Sequence, residues 1–255
     1  MSNFSETSSD MVVMIGRNLL RYRRLPQLIV FSSIQPVMFV LLFVFVFGGA
    51  ISTSASKYVN YLLPGIFVQT VLFGAMMTGV GLADDLSKGL IDRFRSLPIA
   101  RSAVLVGRTV TELIRNVFVL ILMTLVGLLI GFTIENGFGN FVLALLLTSF
   151  FGFAFSWISA TIGLAAKNVE TVQSAGFIWV FPLVFASSIF VPVETMGHGL
   201  RVFAEHNPIS YVANTVRALI LGTPVGDNAW YSLIWIIGIL IVFVPLAVRS
   251  YRKIT

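Results

Sequence analysis

Residue types that do chemistry are scarce in this chain of 255 residues, and it has no cysteine. A thiol nucleophile, a disulfide framework and a cysteine zinc set are therefore excluded. No phosphate-binding loop of the Gly-x4-Gly-Lys-Ser/Thr kind occurs, and no Gly-x-Gly-x-x-Gly turn between strand and helix. His-Glu-x-x-His and Gly-x-Ser-x-Gly are absent too. His198 and His206 lie near Glu194 and Glu205, the closest approach to a metal-ligand set. Two lone histidines in a surface segment read as ordinary polar residues, so no metal and no bound cofactor is expected on this chain. Glu112 and Arg115 are three apart, the spacing of a helical ion pair, and read as a solvated pair near an interface rather than a charge relay.

The richest mixture of charge and apolar character lies in 84–98. Leu86, Leu90, Phe94 and Leu97 recur at spacings of four, four and three, with Ile91 beside them. Lys88, Asp92, Arg93 and Arg95 occupy the remaining surface, with Gly89 among them. The pattern predicts a short amphipathic helix, started by Asp84 or Asp85 and stopped by Pro98. Such a helix either lies on lipid or docks into a partner's groove, and its residues do not choose between the two.

The elements that must position these residues follow from composition. The chain is 57% apolar and only 11% charged, against about 45–50% and roughly 25% in soluble domains. Mean hydropathy is +0.93. A water-soluble enzyme and a disordered chain are both excluded. A spanning helix needs about 20 mostly apolar residues. Six stretches qualify: 28–47, 62–83, 109–132, 141–166, 175–191 and 230–248. Continuous runs such as Phe39 to Phe47 do not alternate as barrel strands do. The first stretch is too long and too far from the N-terminus for a cleaved signal. The expected fold is an all-α integral membrane protein of one domain. Residues 1–10 read as a mobile tail, and 11–25 as an interfacial helix with Met11, Ile15, Leu19 and Tyr22 on one face.

Charge sets the orientation. Fourteen of the 17 Lys and Arg residues fall on one side of these spans, leaving only Lys57, Arg201 and Arg217 on the other. The positive-inside rule then places both termini in the cytoplasm. The net charge of +6 is this bias and not a nucleic-acid footprint. No span centre carries an ionisable residue, which argues against a proton-driven antiporter or a charge-selective pore. Small residues four apart, Gly127 and Gly131, Ser156 and Ala160, Ser159 and Gly163, allow close helix approach. Residues 195–221 are too apolar for a plain loop. Asn207 as N-cap, Pro208 at the first helical position and Gly222 as C-terminal cap predict two short re-entrant helices before the last span.

Two stretches carry a resemblance. Lys88 to Ile99 (KGLIDRFRSLPI) is similar to the cytoplasmic signature of the permease subunit of type-2 ATP-binding-cassette exporters, close to the daunorubicin-resistance group. Asn207 to Tyr211 (NPISY), with Arg217 and Leu221-Gly222, is similar to the signature before the last span. The likeness covers nearly the whole chain. It implies a homo- or heterodimer of permease protomers in the cytoplasmic membrane, with a hydrophobic or amphipathic substrate moving along the shared interface. Two separate ATPase subunits, holding ATP and Mg, would dock beneath. By the same resemblance, Leu86, Lys88, Gly89, Leu90, Asp92, Arg93, Phe94, Arg95, Leu97 and Pro98 form the coupling helix. Lys167, Asn168 and Glu170 form a second cytoplasmic contact. Phe67, Gln69, Phe73, Met77, Phe177, Phe181 and Phe185 are candidates for the path. Asn207, Pro208 and Tyr211 belong to an external gate. The alternative, a stand-alone channel or secondary transporter, needs an ionisable or carbonyl-lined site that no span shows.

Overall fold

The structure, a computed structural model, describes residues 4–24, 27–47, 55–90, 101–166 and 168–253. Its elements are helices, with no strand among the described residues. In order they are α1 (Phe4–Arg24), α2 (Gln27–Leu42), α3 (Ala55–Ser87), α4 (Arg101–Leu129), α5 (Gly137–Ala166), α6 (Val169–Phe185), α7 (His198–Glu205), α8 (Pro208–Leu221) and α9 (Asn228–Lys253). A wider π turn, Phe43–Phe47, continues α2, and a 3-10 turn, Val193–Thr195, precedes α7.

Among the described residues, four helical stretches are long and apolar enough to cross a membrane: Tyr58–Ser87, Ala103–Leu129, Gly137–Ala166 and Asn228–Lys253. Ser32–Val46 and Val169–Phe185 are shorter apolar helices. The outward faces of α4 and α9 expose Ile121, Leu125, Trp230, Ile234, Ile237 and Ile241. Apolar area on that scale is unstable in water and fits hydrocarbon. The molecule is a multi-pass membrane protein.

α3 is the axis of the bundle. Leu62, Leu63, Ile66, Phe67, Val68, Val71 and Leu72 are almost wholly buried, so other elements surround it. Its tightest neighbour is α5, and glycine makes that approach possible. A Cβ on Gly163 would collide with the Gly79 carbonyl, and one on Gly79 with the Ser159 carbonyl. Gly152 meets Val71 in the same way. Of the small residues singled out above, Ser159 and Gly163 therefore do close-pack. Gly131 does not: it has φ 97°, and it turns the chain after α4.

A second core gathers Met14, Leu82, Leu105, Trp157, Leu164, Ala247 and Tyr251. It joins α1 to the ends of α3, α5 and α9 and the start of α4, so both termini lie at one end of the bundle. Asp84, Asp85, Lys88 and Arg108 mark that end, termed here the basic end. The opposite end is marked by the start of α3, the connection between α4 and α5, and α8. There Glu135 and Asn136 N–H groups both donate to the Ile220 carbonyl.

Several boundaries differ from expectation. α1 begins at Phe4, so residues 4–10 are helical rather than tail. It is fastened to α4, with Met14 seated at Gly107. α3 runs unbroken through Asp84 and Asp85 to Ser87, so no new helix begins there. Asp85 stays in the helix because Arg108 of α4 pairs with it at 3.1 Å. Gly89, at φ 65°, then ends α3. α4 stops at Leu129, three residues before Phe132. α6 starts at Val169 and stops at Phe185, not at 191, because Ser188 and Phe190 are bonded to α3 and α8 instead. Asn207 caps α8, Pro208 follows it, and Gly222 closes it at φ 73°, all as expected.

Candidate functional site

A cavity of about 470 Å³ lies toward the basic end, between α1, α2, α3, α4 and the start of α6. Its two halves differ chemically. Phe39, Phe73, Met76, Met77 and Phe177 form one wall. Asn18, Tyr22, Asp84, Arg108, Glu112 and Arg115 form the floor. Gln69, Thr70, Ser32 and Gln35 lie on its lining as well.

The floor is built from matched spacings. Arg108 and Arg115 are two turns apart on α4, and Gly81 and Gly74 are two turns apart on α3. A Cβ on Gly81 would occupy the Arg108 guanidinium, and one on Gly74 would strike Arg115 and Asn116. Each glycine thus makes the notch that an arginine fills. Arg115 Nε donates to Glu112 Oε2 at 2.7 Å, with both side chains under 10% exposed. Arg115 Nη2 donates to Asn116 Oδ1 at 3.1 Å. Tyr22 of α1 donates its hydroxyl to Glu112. Burial, and then the Glu112 carboxylate, hold that hydroxyl well above the usual tyrosine range, so it stays protonated and donating.

This corrects the reading of Glu112 and Arg115 as solvated. They pair, but under the cover of α1 and α3, inside a helix of spanning length. Buried charge in such a helix is costly unless paired and hydrogen-bonded, as it is here. The seven-residue register of Gly74 with Gly81 and of Arg108 with Arg115 was the available signal. Spacing within one helix cannot show which second helix answers it.

Of the path candidates, Gln69, Phe73, Met77 and Phe177 are brought together on the cavity. Gln69 is 3% exposed, and among the described residues its Oε1 has no hydrogen-bond partner. Phe181 and Phe185 lie beyond the cavity, in a chain of ring contacts. Phe73 meets Phe181 at 5.7 Å, Phe181 meets Phe185 at 5.2 Å, and Phe185 meets Phe190 at 5.1 Å. Phe190 stacks on Phe43 at 4.7 Å, which lies 6.0 Å from Phe39. Phe39, Phe43 and Phe190 join the set only through folding. Phe67 does not belong to it: it is fully buried, edge-on to Phe132. Its position on α3 faces the core, away from the cavity.

At the basic end, Leu86 and Leu90 are half-buried, and exposed Lys88 pairs with Asp84 at 2.7 Å. Gly89 makes the turn that ends α3. Asp92, Arg93, Phe94, Arg95, Leu97 and Pro98 lie outside the described residues, as does Lys167. Asn168 caps α6, accepting from Glu170 N at 2.8 Å and Thr171 N at 3.4 Å, and Glu170 is exposed beside it. Asp84 and Val169 border the same cavity, so the α3 turn and the α6 cap are neighbours. At the opposite end, Asn207 accepts from Ile209 N and donates to the Leu183 and Ala186 carbonyls at 2.7 and 2.9 Å. Pro208 is buried at the start of α8. Tyr211 stacks on Tyr231 at 4.9 Å, joining α8 to α9.

Residues 10–221 match the family described as ABC-2 type transporter. The chain is 36% identical over 239 residues to the daunorubicin resistance ABC transporter permease protein DrrB1 of Streptomyces coeruleorubidus, covering 94% of this chain and 84% of that one. It is 24% identical to the probable doxorubicin resistance ABC transporter permease protein DrrC of Mycobacterium tuberculosis, over 93% and 86% of the two chains. A putative transport permease, ycf38, of Cyanophora paradoxa is 21% identical over 82% and 73%. With family coverage from α1 through α8 and a relative of this identity along nearly the whole length, the chain belongs to the ABC-2 type transporter family.

Proposed function

We propose that this chain is the membrane subunit of an ATP-driven exporter, and that it carries hydrophobic or amphipathic molecules. The observation that carries this reading is the cavity. An aromatic and methionine wall suits an apolar body, and a floor of paired charge suits a polar head. The printed names of two relatives, concerned with daunorubicin and doxorubicin resistance, support drug-like cargo.

In this reading the bundle crosses the cytoplasmic membrane six times. The two shorter apolar helices serve as spans, α7 and α8 rest in the outer leaflet, and the basic end faces the cytoplasm. Two protomers, identical or different, form the path, and α2 and α6 carry its aromatic face. Separate ATP-binding-cassette subunits hold ATP and Mg and supply the energy. They dock at the basic end, where Leu86 to Pro98 provide the main contact and Lys167, Asn168 and Glu170 the second. The chain itself hydrolyses nothing.

The test is reconstitution of the chain in liposomes, with and without its cognate ATPase, using daunorubicin as cargo. The expected result is ATP-dependent accumulation by the complex only, with no ATP hydrolysis by the chain alone. Hydrolysis by the isolated chain, or equal flux without the ATPase, overturns the reading. A finer test is Arg93→Glu with Phe94→Ala, expected to abolish transport while leaving membrane insertion intact.

A further inference from the structure

Arg217 on α8 is a half-buried cation with no carboxylate within ion-pair distance among the described residues. Its guanidinium is spent on neutral acceptors instead. Nε donates to the Tyr61 carbonyl at 3.0 Å, Nη1 to Asn214 Oδ1 at 2.7 Å, and Nη2 to the Ser188 carbonyl at 3.0 Å. The plane of the head lies over the Tyr61 ring, 3.7 Å from its centroid. These partners belong to three parts of the chain: the start of α3, α8 itself, and the segment that follows α6.

That last segment is also held at its edges, by Asn207 at the Ala186 carbonyl and by the Tyr58 hydroxyl at the Phe190 carbonyl, but the bonds at its middle converge on the Arg217 site. The Ser188 carbonyl also accepts from the Tyr61 hydroxyl at 2.8 Å. Ser188 Oγ donates to the Asn214 Oδ1 that Arg217 already holds, at 2.8 Å. Ser188 N donates to Ser210 Oγ at 3.0 Å. Pulling residues 186–190 away from α8 therefore strips Arg217 of an acceptor and leaves a half-buried cation under-bonded. Hydrogen bonds to a charged group are worth more than neutral ones, so their loss opposes that motion.

We propose that Arg217 is a latch: a positioning residue that holds 186–190 against α3 and α8 and keeps that end of the path shut. The path itself rests on the exporter reading above; the latch geometry does not. A guanidinium suits the task because its rigid fork serves separate acceptors while its face stacks on a ring, which an ammonium cannot do at once. Motion of this segment out of its seat is then cooperative, because Tyr61, Ser188, Asn214 and Arg217 release together.

The absence of native cysteine makes a direct test available. Ser187 is 1% exposed, and Ser187→Cys is nearly isosteric. The full-length Ser187→Cys chain in nanodiscs is treated with a water-soluble maleimide, and the rate is compared with that of a control thiol. The control, Ser159→Cys, is 3% exposed between α3 and α5. Labelling of a buried thiol tracks the population in which its surroundings open locally, and the expected rise with Arg217→Gln is about tenfold at 187 with none at 159. Arg217→Lys is expected to label almost as fast as the Gln variant. The milder Tyr61→Phe, which keeps the ring and removes one donor to Ser188, gives a smaller rise. Unchanged labelling at 187, an equal rise at both thiols, or a lysine variant as slow as the parent overturns the latch. Adding the cognate ATPase and ATP should speed labelling at 187 in the parent. Failure of that arm alone counts against the exporter reading and leaves the latch standing.

Discussion

At the scale of residues, Gly74 and Gly81 matter for what they leave room for. Gly74→Ala puts a methyl group where Arg115 and Asn116 now sit. Arg115 must then move off Glu112, and breaking one side of a buried ion pair costs about 3–5 kcal/mol. The expected outcome is a large fall in thermal midpoint in detergent, with Gly16→Ala, where a Cβ meets nothing within 4 Å, as the silent control. Gln69 makes the opposite prediction. Its Oε1, unpartnered among the described residues, carries a penalty of about 1–3 kcal/mol. Gln69→Leu should raise the midpoint while lowering the ability to move daunorubicin in the reconstituted complex, a trade expected of a binding group kept at the expense of stability. A stabilised variant with undiminished transport would remove Gln69 from the cargo site. Neither residue's role was fully legible in the sequence. Gln69 stood out as a polar group in an apolar run. The pairing of glycine notches with arginines depends on two helices lying antiparallel in one register, which a single sequence does not display.

At the scale of elements, most of the helices were legible, because apolar run length and breakers carry that information locally. The capping of α8 is the clearest case: Asn207, Pro208 and Gly222 occupy the positions their chemistry dictates. The misplaced boundaries share one cause. Charge at 84–85 and apolar character at 187–191 suggested a break and a continuation. Tertiary partners decided otherwise, Arg108 for Asp85 and Arg217 for Ser188. The amphipathic period read from 84 meets a turn at Gly89, so Leu86 and Leu90 do not lie on one unbroken helix, while 91–98 lie outside the described residues. Asn207 serves both as a cap and as a tie to the end of α6. Asn207→Ala should therefore cost more than the ~1 kcal/mol typical of a lost cap. Asn207→Asp, which keeps the cap acceptor but cannot donate to Leu183 and Ala186, should cost the tie alone. Thermal melts of the two variants separate the contributions; equal midpoints for the Asp variant and the parent would mean the tie carries no weight.

At the scale of the whole molecule, both termini and most of the paired charge collect at one end, while α8 and its carbonyl-bound arginine occupy the other. This polarity was legible in the basic residues, since local counts sum to a global bias. Reporter fusions check the sidedness. Fluorescent protein at either terminus should fluoresce, and alkaline phosphatase after Gly226 should be active. Phosphatase activity from a fusion after Thr255 contradicts the assigned orientation. α3 connects the two ends as a single helix of 33 residues, about 50 Å long. It holds Arg108 and Arg115 at its far end and offers Tyr58 and Tyr61 at its near one. Mechanically it is a lever whose fulcrum is the glycine-tight seam with α5. A tilt of about 5° about that seam displaces Tyr61, roughly 20 Å away, by about 2 Å, more than a hydrogen bond can stretch. Pro64, one turn from Tyr61, leaves a backbone bond unmade near the tip. The longer arm of the lever is thus its more compliant part, and near its end lies the ring on which the Arg217 guanidinium rests.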